Sequence, residues 1–233
     1  MSNKSYIGIG VEIPKLPKLL PQPKADADIA TIIAYEKSKA EVKLYEDAYA
    51  KSLIPQFFRN VSLGQIPKGL PYREQVKKYI TNLIPNVRSG RGVLFTGKYG
   101  YGKTGAAISI QRAALHKSAS TRYVKEQDAI EAIVAPDKVQ TDLPEAIWTC
   151  DVLVLDELGT TSGNARMYIE NLLRTRMEQC LTTLVTTNML EFEIHGNYPR
   201  FGSAYVESFD VIVFDDKTSM NQRTMRDRPR MGT

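Results

Sequence analysis

The stretch Gly97-Lys98-Tyr99-Gly100-Tyr101-Gly102-Lys103-Thr104 fits the pattern G-x-x-x-x-G-K-[ST] at every defined position. Glycines at these spacings let backbone N–H groups turn inward around phosphate oxygens, and a helix starting at the lysine adds partial positive charge. In such a loop Lys103 reaches the β- and γ-phosphates of a nucleotide, and the Thr104 hydroxyl ligates Mg2+. The bland alternative is a glycine-rich turn. The apolar run Val93-Leu94-Phe95 before it and the helix-compatible run after it supply the strand–loop–helix setting that phosphate binding needs. Asp151-Val-Leu-Val-Leu-Asp156-Glu157 comes next, an apolar strand delivering two carboxylates at its C-terminal end. Asp156 is placed to hold Mg2+ and Glu157 to orient and activate an attacking water. A binding switch could manage with Asp156 alone, whereas a hydrolase needs Glu157. A third segment, Leu184-Val185-Thr186-Thr187-Asn188, ends a strand in small polar residues and an amide. Asn188 could hydrogen-bond both the γ-phosphate and the attacking water; read alone, the segment is a strand running into a turn.

Positioning these groups calls for strands alternating with helices. Strands are expected at Gly92 to Thr96, Thr121 to Val124, Asp151 to Leu155, Thr183 to Thr186 and Val211 to Phe214. Helices are expected at Tyr72 to Ile84, Lys103 to Lys117, Gln127 to Val134 and Asn164 to Gln179, with a turn over Asn86 to Gly90 and an interruption at Pro144. Continuous apolar strands separated by helices indicate an α/β parallel sheet covered on both faces. The chain before it differs in character. Pro14, Pro17, Pro21 and Pro23, interleaved with Lys15, Lys18 and Lys24, forbid a helix and favour an extended arm. Asp26 or Asp28 then caps a helix running to about Ser52, whose apolar stripe is imperfect and whose middle, Glu36-Lys37-Ser38-Lys39, is charged. Residues 1–55 thus read as an appended arm and helical module suited to docking on a partner, and 56–233 as the α/β domain with a short basic tail.

Bulk properties agree with a soluble chain of this kind: 233 residues, 42% hydrophobic, 24% charged, net charge +5. The mild basic excess permits nucleic-acid contact without arguing for it. No apolar run approaches bilayer length, and the polar Met1-Ser2-Asn3-Lys4-Ser5 start argues against a secretory signal. Cys150 and Cys180 lie far apart with no second Cys or His nearby, and read as buried small hydrophobes in a reducing compartment.

Taken in order, the glycine loop, the strand ending Asp156-Glu157 and the Thr-Thr-Asn strand resemble the Walker A, Walker B and sensor 1 motifs of AAA+ ATPases. Within that superfamily, about Phe57 to Arg223 resembles the DnaC/DnaI-type helicase loaders through "FFRNVSL", "TRYVKEQDAIEAI", "DVLVLDELGTTSGNARMYIENLLRTRM" and "TTLVTTNM". The resemblance implies a P-loop AAA+ fold without a full C-terminal helical lid, in keeping with the roughly 20 residues that follow Phe214. It implies ATP and ADP as ligands with Mg2+ at Thr104 and Asp156. It further implies an arginine finger acting in trans, for which Arg200 in "NYPRFGS" is the best match, although the Gly202-Ser203-Ala204-Tyr205 that follows lacks the further arginines common in loaders. Arg223 could serve as a second sensor arginine, but its run with Arg226, Arg228 and Arg230 favours a solvated or DNA-facing tail.

The implied function is that of an ATPase loading a replicative DNA helicase onto single-stranded DNA in a bacterial or phage-infected cytoplasm. The N-terminal module would grip the helicase, and a homo-oligomer would share ATP sites between subunits. Lys117, Arg122 and Lys125 are candidate DNA contacts on charge alone, with plain surface as the competing reading. The alternative client is a DNA transposase served by an IstB-like helper, whose core looks alike. A P-loop kinase is disfavoured by the Asp-Glu pair followed by Thr-Thr-Asn. A non-hydrolysing clip is disfavoured by Glu157 and Asn188, which binding alone does not require.

Overall fold

The computed structural model describes residues 17–24, 27–139 and 141–215. Its elements in chain order are α1 (Ile29–Lys51), α2 (Pro71–Thr81), α3 (Leu83–Arg88), β1 (Gly92–Gly97), α4 (Lys103–Leu115), β2 (Thr121–Lys125) and α5 (Glu126–Val134). There follow α6 (Leu143–Thr149), β3 (Val152–Leu158), α7 (Arg166–Glu178), β4 (Thr182–Thr187), α8 (Glu191–Asn197), α9 (Pro199–Ser208) and β5 (Phe209–Phe214).

The five strands form one parallel sheet in the order β2-β3-β4-β1-β5. Both faces are covered, as the strand sequences require. Val93 and Phe95 of β1 pack with Val154, Leu184 and Ile212 under α2 and α4, whereas Leu94 packs with Leu153, Leu155 and Val185 under α5 to α9. Every residue of β1 and of β4 is buried, which accounts for their unbroken apolar or small character. Val93, Leu184 and Val154 stand in one row across β1, β4 and β3. The C-terminal ends of these three neighbours therefore bring the glycine loop, Asp156-Glu157 and Thr186-Thr187-Asn188 to the same edge, where open parallel sheets bind their ligands.

Several elements depart from expectation, each for a local reason. Asp28 caps α1 by accepting from the Thr31 N–H at 2.7 Å; Asp26 lies outside the described residues. The helix expected from Tyr72 breaks at Asn82, and a second helix runs through Asn86 to Arg88 because Pro85 sits in its first turn, where no N–H is needed. Gly90 then closes it at φ +69°, and a Cβ there would stand 2.5 Å from the Cys180 carbonyl carbon. Pro144 likewise starts α6 rather than interrupting one. Helices α8 and α9 were not among the expected elements, although α9 buries Phe201 and Tyr205 one turn apart. Cys150 is buried as expected, but Cys180 is exposed. The lid question and the Arg223 run fall at 216–233, outside the described residues, as do Pro14 and Lys15; Pro17 to Lys24 of the proline arm form neither helix nor strand, as expected.

Most of α1 is solvent-exposed. Only its C-terminal end meets the sheet domain: Tyr45, Ala48 and Tyr49 pack against the core, with the Tyr45 ring stacked on His116, the residue after α4, at 4.9 Å. The Ser52 carbonyl after it accepts from the Tyr123 N–H of β2 at 2.8 Å and from Gln111 Nε2 of α4 at 3.2 Å. Among the described residues no helix is long and apolar enough to cross a membrane.

Candidate active site

The glycine loop leaves β1 through Gly97 at φ +118° and enters α4 through Gly102 at φ +99°. A Cβ at Gly97 would lie 2.2 Å from the Phe214 carbonyl oxygen, which accepts from the Lys98 N–H at 2.9 Å. The loop thus turns hard against β5, and only glycine fits the turn. Lys103, the first residue of α4, is 7% exposed. Its ammonium donates to Gly97 O and Lys98 O at 2.7 Å each and to Asn188 Oδ1 at 2.8 Å, with the Tyr99 ring centroid 5.9 Å away. Burial lowers its pKa to about 8, with the Asp156 charge pulling it back up. Of the two loop tyrosines, Tyr101 packs inward on the core and Tyr99 stands 68% exposed at the mouth of the site.

Asp156 is buried and held by hydroxyls. Its Oδ1 accepts from Thr104 Oγ1 at 2.9 Å and from Thr186 Oγ1, and its Oδ2 from the Tyr123 hydroxyl at 2.6 Å. Burial first, then the Asp156 charge, pushes the Tyr123 phenol far above its ordinary value, so it remains a donor. The next residue is handled differently. The β3–β4 register slips between Leu155 and Leu158, and Glu157 takes φ +63°. Such a conformation is strained for a side chain other than glycine and persists only where neighbours enforce it; here the Glu157 N–H donates to Thr186 Oγ1 at 3.0 Å. The slip turns the Glu157 carboxylate out of the strand and onto the wall of the cavity beside Lys103 and Asn188. There its Oε2 lies 3.0 Å from Lys125 Nζ, both side chains about half exposed. Hydrogen bonding and charge from Glu157 raise the Lys125 pKa.

The donors fit Mg2+. A hydroxyl and a carboxylate oxygen lie together at the loop, both hard oxygen ligands, and among the described residues no group of three or more His, Cys, Asp or Glu could hold a metal by itself. Mg2+ binds in just this way, through one or two protein oxygens plus substrate phosphates.

The cavity measures about 450 Å³. One side is the loop with Glu157, Thr186 and Asn188; the other is formed by Phe57, Phe58, Val61, Ile66, Pro67 and Tyr72. This apolar, partly aromatic wall suits the flat ring of a nucleobase. Its only sequence signal was the "FFRNVSL" likeness, which indicated a lead-in to the domain and not a binding wall. The Val61 carbonyl is fixed by the Arg112 guanidinium of α4.

Lys103, Thr104, Asp156, Glu157 and Asn188 therefore surround one site. Arg200 does not line it. It is exposed at the start of α9, where its N–H donates to Glu170 Oε1 of α7 at 2.6 Å. The preceding Tyr198 is buried and its hydroxyl bonds Glu126. Glu126, a buried acid that the sequence reading passed over, also accepts from the Gly159 and Thr161 N–H groups and the Thr160 hydroxyl, fixing the loop after Glu157. Of the basic residues singled out on charge, Arg122 is buried and paired with Asp142, so it is not a surface contact. Lys125 pairs with Glu157, and Lys117 is exposed.

No protein-family model matches the sequence, and no curated protein matches it. Solved structures do match in fold. A DnaC helicase loader superposes with TM-score 0.60 at 20% identity, over 69% of this chain and 100% of that one. DnaI does so with TM-score 0.62 at 18% identity, over 73% of this chain and 95% of that one. The replication initiator DnaA bound to AMPPCP and single-stranded DNA gives 0.56 at 18%, covering 69% of this chain and 52% of that one. The sheet order, the loop and these superpositions together establish that the chain has the P-loop AAA+ NTPase fold of DnaC and DnaI.

Proposed function

We propose that the chain is a Mg2+-dependent ATPase that loads a replicative DNA helicase onto single-stranded DNA. The observation that carries the hydrolytic half is the register slip near the end of β3, at which Glu157 takes a positive φ and faces the cavity with Lys103 and Asn188. A site for binding alone has no use for a strained residue there. The loop N–H groups and the α4 N-terminus bind the phosphates, and Lys103 offsets their charge. Thr104 and Asp156 hold Mg2+, which when bound neutralises charge on the phosphate oxygens. Glu157 orients and deprotonates the attacking water, and Asn188 aligns it with the γ-phosphate. Arg200 faces outward and completes the site of a neighbouring subunit in a homo-oligomer.

The loader half is supported by fold likeness to a DnaC helicase loader over the whole of the matched chain. It is supported also by α1, whose Ile29 and Ile33 are 76% and 62% exposed one turn apart, a surface for a partner helix. Single-stranded DNA would be held through basic side chains, as suits a cytoplasmic replication protein.

Pull-down of the host replicative helicase by the full chain tests this. The helicase is expected to bind the wild type and to be lost from Ile29→Asp/Ile33→Asp, which leaves Ser52 and the sheet untouched, with ATP turnover unchanged. Absence of helicase binding by the wild type, with capture of a transposase instead, would overturn the loader reading in favour of a transposition helper.

A further inference from the structure

Strand β2 is an edge of the sheet, yet it touches both acids of the site. Lys125 stands opposite Asp156 in the β2–β3 register, and Tyr123 stands opposite Val154. Tyr123 and Lys125 are two apart on a strand and share a face, so Tyr123 reaches Asp156 along the diagonal, a span that a long aromatic side chain bridges. Its hydroxyl meets Oδ2, the carboxylate oxygen turned away from Thr104, at 2.6 Å. Thr104 and Thr186 both donate to Oδ1. A carboxylate gripped on one oxygen can still swing about its Cβ–Cγ bond; gripped on both, it has one orientation. Tyr123 is itself fixed: its ring is buried in the core cluster under α4, and its N–H donates to the Ser52 carbonyl at the end of α1.

We infer that Tyr123 is a positioning residue for the metal-site carboxylate, holding Asp156 Oδ2 so that Oδ1 stays aligned with the Thr104 hydroxyl. This rests on the nucleotide-site reading above. Tyr123 does not line the cavity. Its effect passes through Asp156 alone and is confined to Mg2+-assisted binding. Partners of this kind behind metal ligands typically govern metal affinity by 10–100-fold.

Tyr123→Phe keeps the ring and the backbone bond to Ser52 and deletes only the hydroxyl. A fluorescent ATP analogue is titrated into wild type and variant, first in chelator and then across a MgCl2 series. The expected result is an unchanged Mg2+-free affinity and a roughly tenfold rise in the Mg2+ concentration giving half of the Mg2+-dependent gain. An equal fall in Mg2+-free affinity would make the hydroxyl a general support of the fold and overturn the inference. So would a Mg2+ series that superposes on the wild type. If the wild-type chain binds the analogue with no gain from Mg2+, the site reading itself fails, which this design separates from a failure specific to Tyr123.

Discussion

Replacing Lys125 with alanine should speed the proposed ATP turnover. Lys125 Nζ lies 3.0 Å from Glu157 Oε2, so in this arrangement the carboxylate assigned to the water is engaged by a cation. To serve as base, Glu157 must leave that partner, and the free energy of the pair adds to the barrier. Both side chains are about half exposed, 50% and 48%, which places the pair among solvent-screened surface bridges. Such pairs contribute about 0.2–1 kcal/mol. At 1.36 kcal/mol per decade, release of the larger figure corresponds to roughly a fivefold rise in kcat. Nucleotide affinity should not change, because Lys125 does not line the cavity. The assay is steady-state ATP turnover at saturating Mg2+-ATP, matched protein concentration and a series of salt concentrations. Wild-type turnover should climb with salt as the pair is screened, converging on Lys125→Ala, whose own salt response should be flatter. Glu157→Gln should abolish turnover, and adding Lys125→Ala to it should bring no gain. A Lys125→Ala enzyme at or below wild-type turnover at low salt would refute the reasoning and make Lys125 an aid to catalysis instead of a brake.

Two further outcomes concern the scaffold. Arg176 is fully buried and donates to Ile147 O and Cys150 O at 2.9 Å, Thr182 O at 2.8 Å and Thr183 Oγ1 at 3.0 Å, so Arg176→Met deprives three backbone carbonyls of this donor. At ~1 kcal/mol or more for each, chemical unfolding should show a loss of about 3 kcal/mol with an unchanged denaturant slope, and a loss under ~1 kcal/mol would contradict this. His116 has its pKa held below the ordinary value by burial first, then by Arg112 and Lys117. The unfolded chain therefore takes up the proton first, and the His116 contribution to stability is full above about pH 6.5 and lost as pH falls through and below that value. Thermal melts should show the wild type losing more stability than His116→Gln on acidification, and parallel losses would remove His116 from that role.

What could be read from the sequence was the part whose chemistry is local. A glycine loop, an acid pair and an amide each declare themselves within eight residues, because each must present particular atoms at a strand end. What could not be read depends on which strands are neighbours. Tyr123 and Lys125 sit in "TRYVKEQDAIEAI", where composition suggests an ordinary basic strand; only the β2–β3 pairing brings them to Asp156 and Glu157. Arg122, the residue before Tyr123, points to the other face, where it is buried and paired with Asp142, so three polar residues of one short strand have unrelated fates. The wall from Phe57 to Tyr72 comes from a segment with short turns of helix and no period, and α8 and α9 are short helices with only Tyr198 between them.

The anchoring of α9 bears on assembly. Arg200 and Phe201 both give their N–H to Glu170, and Tyr198 is tied to Glu126, so the backbone on each side of Arg200 is clamped to its own subunit. In the proposed oligomer its guanidinium is a pendulum on a fixed pivot, sweeping only the arc its own methylenes allow. Whether a neighbour's phosphate site feels that charge would then be decided by how the two subunits are rotated against each other, and a client that changes this rotation would act as a clutch on the proposed turnover.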